Sequence, residues 1–394
     1  MLTCFKPLGN RYGPQLDCSQ FMQPLKILAL AAVAFCSTAL GASLKEFVPG
    51  DIWPDDQGAH INAHGGGILL HQGVYYWFGE HKIAGGAGNR AHVGVGVYSS
   101  RDLYNWKNEG IALAVSQDPK SEIAEGCIIE RPKVIYNAAT RKFVMWFHLE
   151  FKGAEYRAAR SAVAVADKPE GPYTFLHSIR PNAGKWPLIA PAEGGAPREA
   201  KSEDFSAERA PDRFFLRDFV GGQMARDMTL FVDDDGRAYH VYSSENNATL
   251  HISLLTPDYL KPSGRYVRVF PGASNEAPAI FKKGGRYFLI TSGCTGWDPN
   301  AARLAVADSI SGPWTALPNP VRGTKDQASK TFDSQGTYVL PAPGHPGEFI
   351  FMADRWHPDN AIDGRYVWLP IRWEDGRPVL KWLDRWDLSV FDRK

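Results

Sequence analysis

Apolar and polar positions alternate with a period of two through most of the chain, and the alternation comes in repeated groups of short segments. One group sets the pattern. Ala279 to Phe281 and Tyr287 to Ile290 read as two strands joined across the turn Lys282-Lys283-Gly284-Gly285, with Glu276 at the entry to the first. Similar runs recur from Gly73 to Glu80 and Val93 to Ser100, from Lys142 to Phe147 and Ser161 to Asp167, and from Ala238 to Tyr242 and Leu250 to Leu255. They recur again from Ala302 to Asp308 in the fourth group, and from Gly347 to Met352 and Arg365 to Pro370 in the fifth. Helical periodicity is nearly absent. Five repeats of several short strands predict an all-β fold, specifically a five-bladed β-propeller.

Two stretches depart from the rhythm. Residues 177–222 are rich in Pro, Ala, Glu and Arg and read as a long loop inserted between the second and third groups. The tail through Trp373, Trp382, Trp386 and Phe391 reads as strand material that closes the ring against the first group. At the other end, Lys26, the apolar run Ile27 to Phe35 and the small residues up to Ala42 follow the order of a secretory signal. Met22 is then the expected start, cleavage is expected near Gly41 or Ala42, and the protein is expected to be secreted or periplasmic. The apolar run falls short of the ~20 residues of a membrane span. The domain reading is therefore an extension and signal peptide over 1–42, then a single catalytic propeller over 43–394.

Composition narrows the class. A net charge of +1 over 394 residues offers no basic surface for nucleic acid or anionic lipid. The 12 Trp and 15 Tyr suit a β-rich core and also suit stacking on sugar rings. Beyond the signal, Cys127 and Cys294 are the only cysteines, enough for one disulfide and too few for a zinc site. Asp233-Asp234-Asp235-Gly236 reads as a hairpin turn, since it lacks the spaced ligands of an EF-hand. No metal or cofactor is expected to be required, a structural calcium being unreadable from sequence. A monomer is expected.

In a propeller the first strand of each blade lines the axis and opens on one face. Here those strands begin with polar groups: Asn62 and His64, Glu130, Asp227, Glu276 and Gln335. Three carboxylates, an imidazole and two amides would converge on one rigid mouth. Arg131 and Lys133 are expected to pair with acidic neighbours, and His64 reads either as a sugar or water ligand or as a core imidazole. Trp297 and Trp356 follow such strands and read either as sugar platforms or as core.

At these residues the chain resembles glycoside hydrolase family 43, from about Phe47 onward. Asp227 in Arg226-Asp227-Met228-Thr229-Leu230-Phe231 matches the family's third-blade Asp, and Glu276 in Glu276-Ala277-Pro278-Ala279-Ile280-Phe281 its fourth-blade acid. The usual first-blade Asp base is missing, its place held by Asn62-Ala63-His64-Gly65-Gly66-Gly67. That run, with Tyr76 to Glu80, Glu130-Arg131-Pro132-Lys133 and Ser334-Gln335, is similar to the exo-β-1,3-galactanase branch. The resemblance implies Gln335 as the holder of the attacking water, with Glu80, Glu130, Tyr156, Asp227 and Thr295 around the terminal sugar. Glu130 is the alternative base.

The resemblance thus implies an inverting exo-hydrolase that releases galactose from β-1,3-galactan or arabinogalactan. The competing readings are an α-L-arabinofuranosidase or galactofuranosidase, and a catalytically inactive glycan-binding propeller.

Overall fold

A computed structural model describes residues 43–191 and 195–392, so the expected signal peptide lies outside the described residues. Five antiparallel sheets stand around one axis, and their first strands touch in cyclic order. Blade 1 comprises His64–His71, Val74–His81, Gly94–Ser100 and Lys107–Ala114. Blade 2 comprises Ile128–Asn137, Lys142–Glu150, Arg160–Ala166 and Thr174–Ile179. Blade 3 runs Met228–Val232, Ala238–Ser244, Thr249–Leu255 and Pro262–Val269; blade 4 runs Glu276–Lys283, Arg286–Ser292, Arg303–Ala307 and Thr315–Leu317. Blade 5 has Gln335–Pro341, Phe349–Arg355, Arg365–Glu374 and Arg377–Lys381, with Val321–Arg322 added in parallel at its outer edge.

The apolar residues of each strand face the next blade, so the core is five sandwiches rather than one centre. Phe78, Val95 and Val97 of blade 1 pack on Met145, Phe147 and Ala164 of blade 2, and the same happens at each of the other joints. This explains the alternation: one residue in two is taken up by each neighbouring sheet. Trp77, Trp146 and Trp368 are fully buried in these joints. Cys127 is buried in the joint of blades 1 and 2 while Cys294 is exposed, and both are free thiols, so the possible disulfide does not form.

The ring closes through fewer residues than expected. Trp373 belongs to blade 5's third strand, whereas Trp386 exchanges backbone hydrogen bonds with Phe47, at 2.7 and 3.0 Å, ahead of blade 1. Asp233 opens the turn before Ala238 and binds Lys282 and Tyr287 of the next blade.

The stretch read as a loop over 177–222 is more ordered than that. Its first residues finish blade 2, Leu188–Ile189 and Arg198–Glu199 extend the sheet of blade 3, and Ala210–Arg217 is a helix with Pro at its start. Two-residue strands carry no readable periodicity, which is why sequence missed them. A buried ionic chain fixes the helix: Arg268 donates to Asp212 at 3.0 Å and to Glu245 at 2.6 Å, and His251 lies 2.8 Å from Glu245. The Arg268 guanidinium also lies over Phe215, 4.8 Å from the ring centre. The segment then runs directly into Arg226 and Asp227.

Four of the five inner strands bulge near the same end, with register slips between His64 and Gly67, Glu130 and Lys133, Glu276 and Ala279, and Gly336 and Tyr338. In the first three, a left-handed residue follows the leading side chain: Gly65 at φ 63°, Arg131 at 56° and Ala277 at 50°. That conformation costs a non-glycine residue roughly 1–2 kcal/mol. Each turned-out amide donates to a carboxylate of the preceding blade: Gly65 to Asp354 at 2.5 Å, Arg131 to Glu80 at 3.0 Å, and Ala277 to Asp227 at 3.1 Å. Glycine is required at 66 because a Cβ there would lie 1.7 Å from the Phe78 carbonyl oxygen.

Replacing Arg268 by Ala strips Asp212 and Glu245 of a buried cation and should cost about 3–5 kcal/mol of stability. Urea denaturation measures it; a loss under about 1 kcal/mol would show that the ionic chain does not hold the insertion.

Candidate functional site

The bulged ends surround a pocket of about 280 Å³ lined by Glu80, Glu130, Tyr156, Asp227, Glu276, Trp297, Gln335 and Trp356, joined by Arg131, Arg226, Asn247 and Cys294. Below it Lys133, 2% exposed, plugs the axis with its ammonium on the Gly65 carbonyl at 2.9 Å. Lys133 therefore rests on backbone and not on an acidic partner, and burial brings its pKa down to about 7.

Glu276 leads blade 4. Burial pushes its carboxyl up first and the Asp227 carboxylate adds like-charge repulsion, together to about 7. One oxygen alone is engaged: Oε1 accepts from the Asn247 amide at 2.6 Å and from the Cys294 thiol at 3.1 Å. Two donors on Oε1 leave the proton of the neutral acid on Oε2. Asn247 is the last of three successive left-handed residues, Glu245 to Asn247, in the turn after Ala238–Ser244, so a strained turn delivers that donor.

Asp227 is held from two sides through Oδ2, by the Ala277 amide and by Arg131 Nη2 at 2.9 Å. The same Arg131 Nη2 donates to Gln335 Oε1 at 2.5 Å. Trp356 Nε1 donates to that oxygen at 3.0 Å, while Gln335 Nε2 donates to Ser292 Oγ at 3.0 Å. With two donors facing one end, the amide has one consistent orientation. Trp356 meets Trp297 edge to face at 5.7 Å.

Glu130 accepts the Tyr156 hydroxyl at 2.7 Å on Oε1 and faces His148 Nδ1 at 2.9 Å with Oε2. Despite its burial, the His148 and Tyr156 contacts bring its pKa down to about 2. Glu80 is bound by the Arg131 amide and by Lys82 at 2.6 Å. Asp354, opposite Gln335 on the next strand, is pushed up to about 7 by burial, against the Gly65 amide.

Three residues named as candidates around the sugar are not among those lining the pocket. The Asn62 side chain is buried and closed on the Lys82 backbone through two 2.8 Å bonds. His64 is fully buried, stacks on Tyr366 at 5.4 Å, and is kept neutral by burial well below its usual range. It is the core imidazole, and its strand partner Glu80 lines the pocket instead. Thr295 spends its hydroxyl inside its own loop, donating to the Asp298 carbonyl at 2.6 Å and accepting from Asn300 at 2.7 Å. Arg226, Asn247 and Cys294 were missed; Arg226 had a signal in its adjacency to Asp227, the others none.

Among the described residues no cluster of three metal-ligating side chains occurs, and no helix is long and apolar enough to cross a membrane. The pocket instead combines a neutral carboxyl, several carboxylates, a fixed amide and two indoles, a set suited to binding hydroxyls and moving one proton.

The family model for glycosyl hydrolases family 43 matches residues 213–378. No curated protein matches the chain significantly. Among solved structures, a family 43 β-1,3-galactosidase with galactodeoxynojirimycin is 55% identical, with a TM-score of 0.79 over 86% of this chain and 100% of that one. A variant of the Phanerochaete chrysosporium exo-β-1,3-galactanase with β-1,3-galactotriose is 33% identical, with a TM-score of 0.70 over 87% of this chain and 68% of that one. The exo-β-1,3-galactanase of Clostridium thermocellum is 35% identical, with a TM-score of 0.71 over 88% of this chain and 68% of that one.

Asp227→Asn removes the charge facing Glu276 and should lower the Glu276 pKa from about 7 toward the usual carboxyl range. Carboxyl ¹³C titration by NMR reads the shift, and an unmoved titration would leave burial as its sole cause.

Proposed function

The chain belongs to family 43 of the glycosyl hydrolases, an inverting family, and from that premise we propose that it is an exo-acting enzyme releasing terminal galactose from β-1,3-linked galactan. The observation that carries the reaction is Glu276: a carboxyl neutral near pH 7 beside a carboxylate, its Oε2 free to give a proton. The sugar is supported by the 55% identical β-1,3-galactosidase and the two exo-β-1,3-galactanases.

In this reading Glu276 protonates the leaving oxygen while water attacks the anomeric carbon from the opposite face. The C–O bond to the leaving sugar breaks, a C–O bond to water forms, and the released water proton passes to solvent. Asp227 keeps Glu276 protonated between turnovers. The first-blade carboxylate of the pocket, Glu80, is engaged by the Arg131 amide and by Lys82, and Gln335 orients the water. Its oxygen already accepts from Arg131 and Trp356, which supports orientation over proton uptake. Glu130, drawn down to about 2, is a poor base and a strong hydroxyl acceptor. With Glu80 and Tyr156 it grips the terminal sugar, and Trp297 and Trp356 offer apolar faces. Secretion, read from the segment up to Ala42, completes the proposal for an enzyme whose substrate is a polysaccharide.

Incubation of the protein with β-1,3-galactan and, separately, with arabinan, followed by chromatography, should give galactose from the first only. Arabinose alone would overturn the substrate in favour of a furanosidase. Glu276→Gln should lower kcat by at least ~10²-fold, and wild-type kcat/KM should fall as pH rises through about 7, where the acid loses its proton. Retained turnover in Glu276→Gln would remove Glu276 from the acid role.

A further inference from the structure

Behind the pocket wall His148 lies between two carboxylates, its side chain 1% exposed. Nδ1 is 2.9 Å from Glu130 Oε2 and Nε2 is 2.8 Å from Glu150 Oε1. A neutral imidazole has one N–H and one lone pair, so it would satisfy one neighbour and turn its lone pair on the other. A proton on either carboxyl is the poorer alternative, because a carboxyl ordinarily titrates about two units below an imidazolium, and their second oxygens keep accepting in either case. Glu130 Oε1 takes the Tyr156 hydroxyl at 2.7 Å, and Glu150 Oε2 takes the Ala159 amide at 2.8 Å. The ring therefore carries both protons and the positive charge.

The groups around it agree. Glu130 and Glu150 bracket the ring, the Tyr156 ring lies 6.1 Å away, Arg226 Nε is 3.9 Å from Glu150, and Lys82 and Glu80 lie beyond Glu130. Burial opposes the charge, but the two carboxylates outweigh it and raise the ring to about 9.

Glu150 is fully buried, so neither it nor His148 can touch a ligand. Its role is architectural: the Ala159 amide it holds ends the loop that carries Tyr156. Ala159 in turn accepts the Ala225 amide at 2.9 Å, and Arg226 donates to the Tyr156 carbonyl at 2.5 Å. One ionic chain thus aims Glu130 and Tyr156 and ties both to the segment entering Asp227.

We propose that His148 is a positioning residue for sugar recognition, a buried imidazolium braced by Glu150 that holds Glu130 as an oriented anion for the hydroxyls of the terminal sugar. This rests on the reading that the pocket binds a terminal galactose. In sugar binding His148 acts through Glu130, and Glu150 through the loop that carries Tyr156.

A double-mutant cycle with galactose as probe tests it by calorimetry. Glu130→Gln and His148→Gln should each weaken galactose binding about 10-fold or more, and the double variant should be within about 2-fold of Glu130→Gln. Additive losses would overturn the proposal. Should His148→Gln fail to fold, wild-type galactose affinity between pH 7 and 10 replaces it, with a fall expected around pH 9. Glu276, Asp354 and Lys133, each about 7, titrate ahead of that fall, Tyr156 is pushed above its usual range and Cys294 up to about 11, so none of them supplies it, and constant affinity above pH 8 would overturn the proposal. Imidazole ¹⁵N shifts separate this from the sugar assignment. Both nitrogens of His148 should be protonated at pH 7 whatever the enzyme cleaves, and a neutral tautomer would sink the clamp. With the imidazolium seen, absence of galactose binding would overturn the sugar reading and the recognition role together.

Discussion

The site depends on a backbone amide turned out of its ladder to meet a carboxylate from the preceding blade. Gly65 meets Asp354, Arg131 meets Glu80 and Ala277 meets Asp227. Each contact settles two liabilities at once. The bulge would otherwise leave a buried N–H unpaired, and the buried carboxylate gains a donor, in addition to Lys82 at Glu80 and Arg131 at Asp227. Because donor and acceptor come from neighbouring sheets, the contacts also set how the blades meet at this end. The left-handed backbone at Arg131 and Ala277 is strain that these bonds offset.

From that lattice of amides the side-chain chemistry is graded. Asp227 shares Oδ2 between the Ala277 amide and Arg131, so it stands as a fixed charge beside Glu276. Glu276 has weaker support, an amide and a thiol on one oxygen, and burial keeps it neutral. Glu130 has the strongest, a charged imidazole and a phenol, and lies at the opposite extreme. Glu276 and Glu130, in one pocket, are thereby given different protonation states by their partners.

The fold was legible because strand alternation and glycine turns recur five times, and each blade buries the same alternate residues. The leading positions Glu130, Asp227, Glu276 and Gln335 were legible as well, since a strand's first polar residue in this architecture faces the axis. Of the two readings of His64 the core one holds: it leads blade 1 with the same kind of slip that follows Glu130 and Glu276, yet its imidazole packs in the joint against Tyr366 while Glu80 takes the pocket. Asn62 and Thr295 misled because their polar groups close local backbone and loop contacts. His148 and Glu150 sit within an apolar strand run, where nothing local reveals that both face the same imidazolium cluster.

Since the bulge fixes the backbone through an amide at three of the leading positions, the geometry there does not rely on which side chain is present. Glu130 and Glu276 stand next to amides that any residue supplies. The rim then works as a set of interchangeable addresses: exchanging the occupant alters chemistry while its neighbours keep their aim.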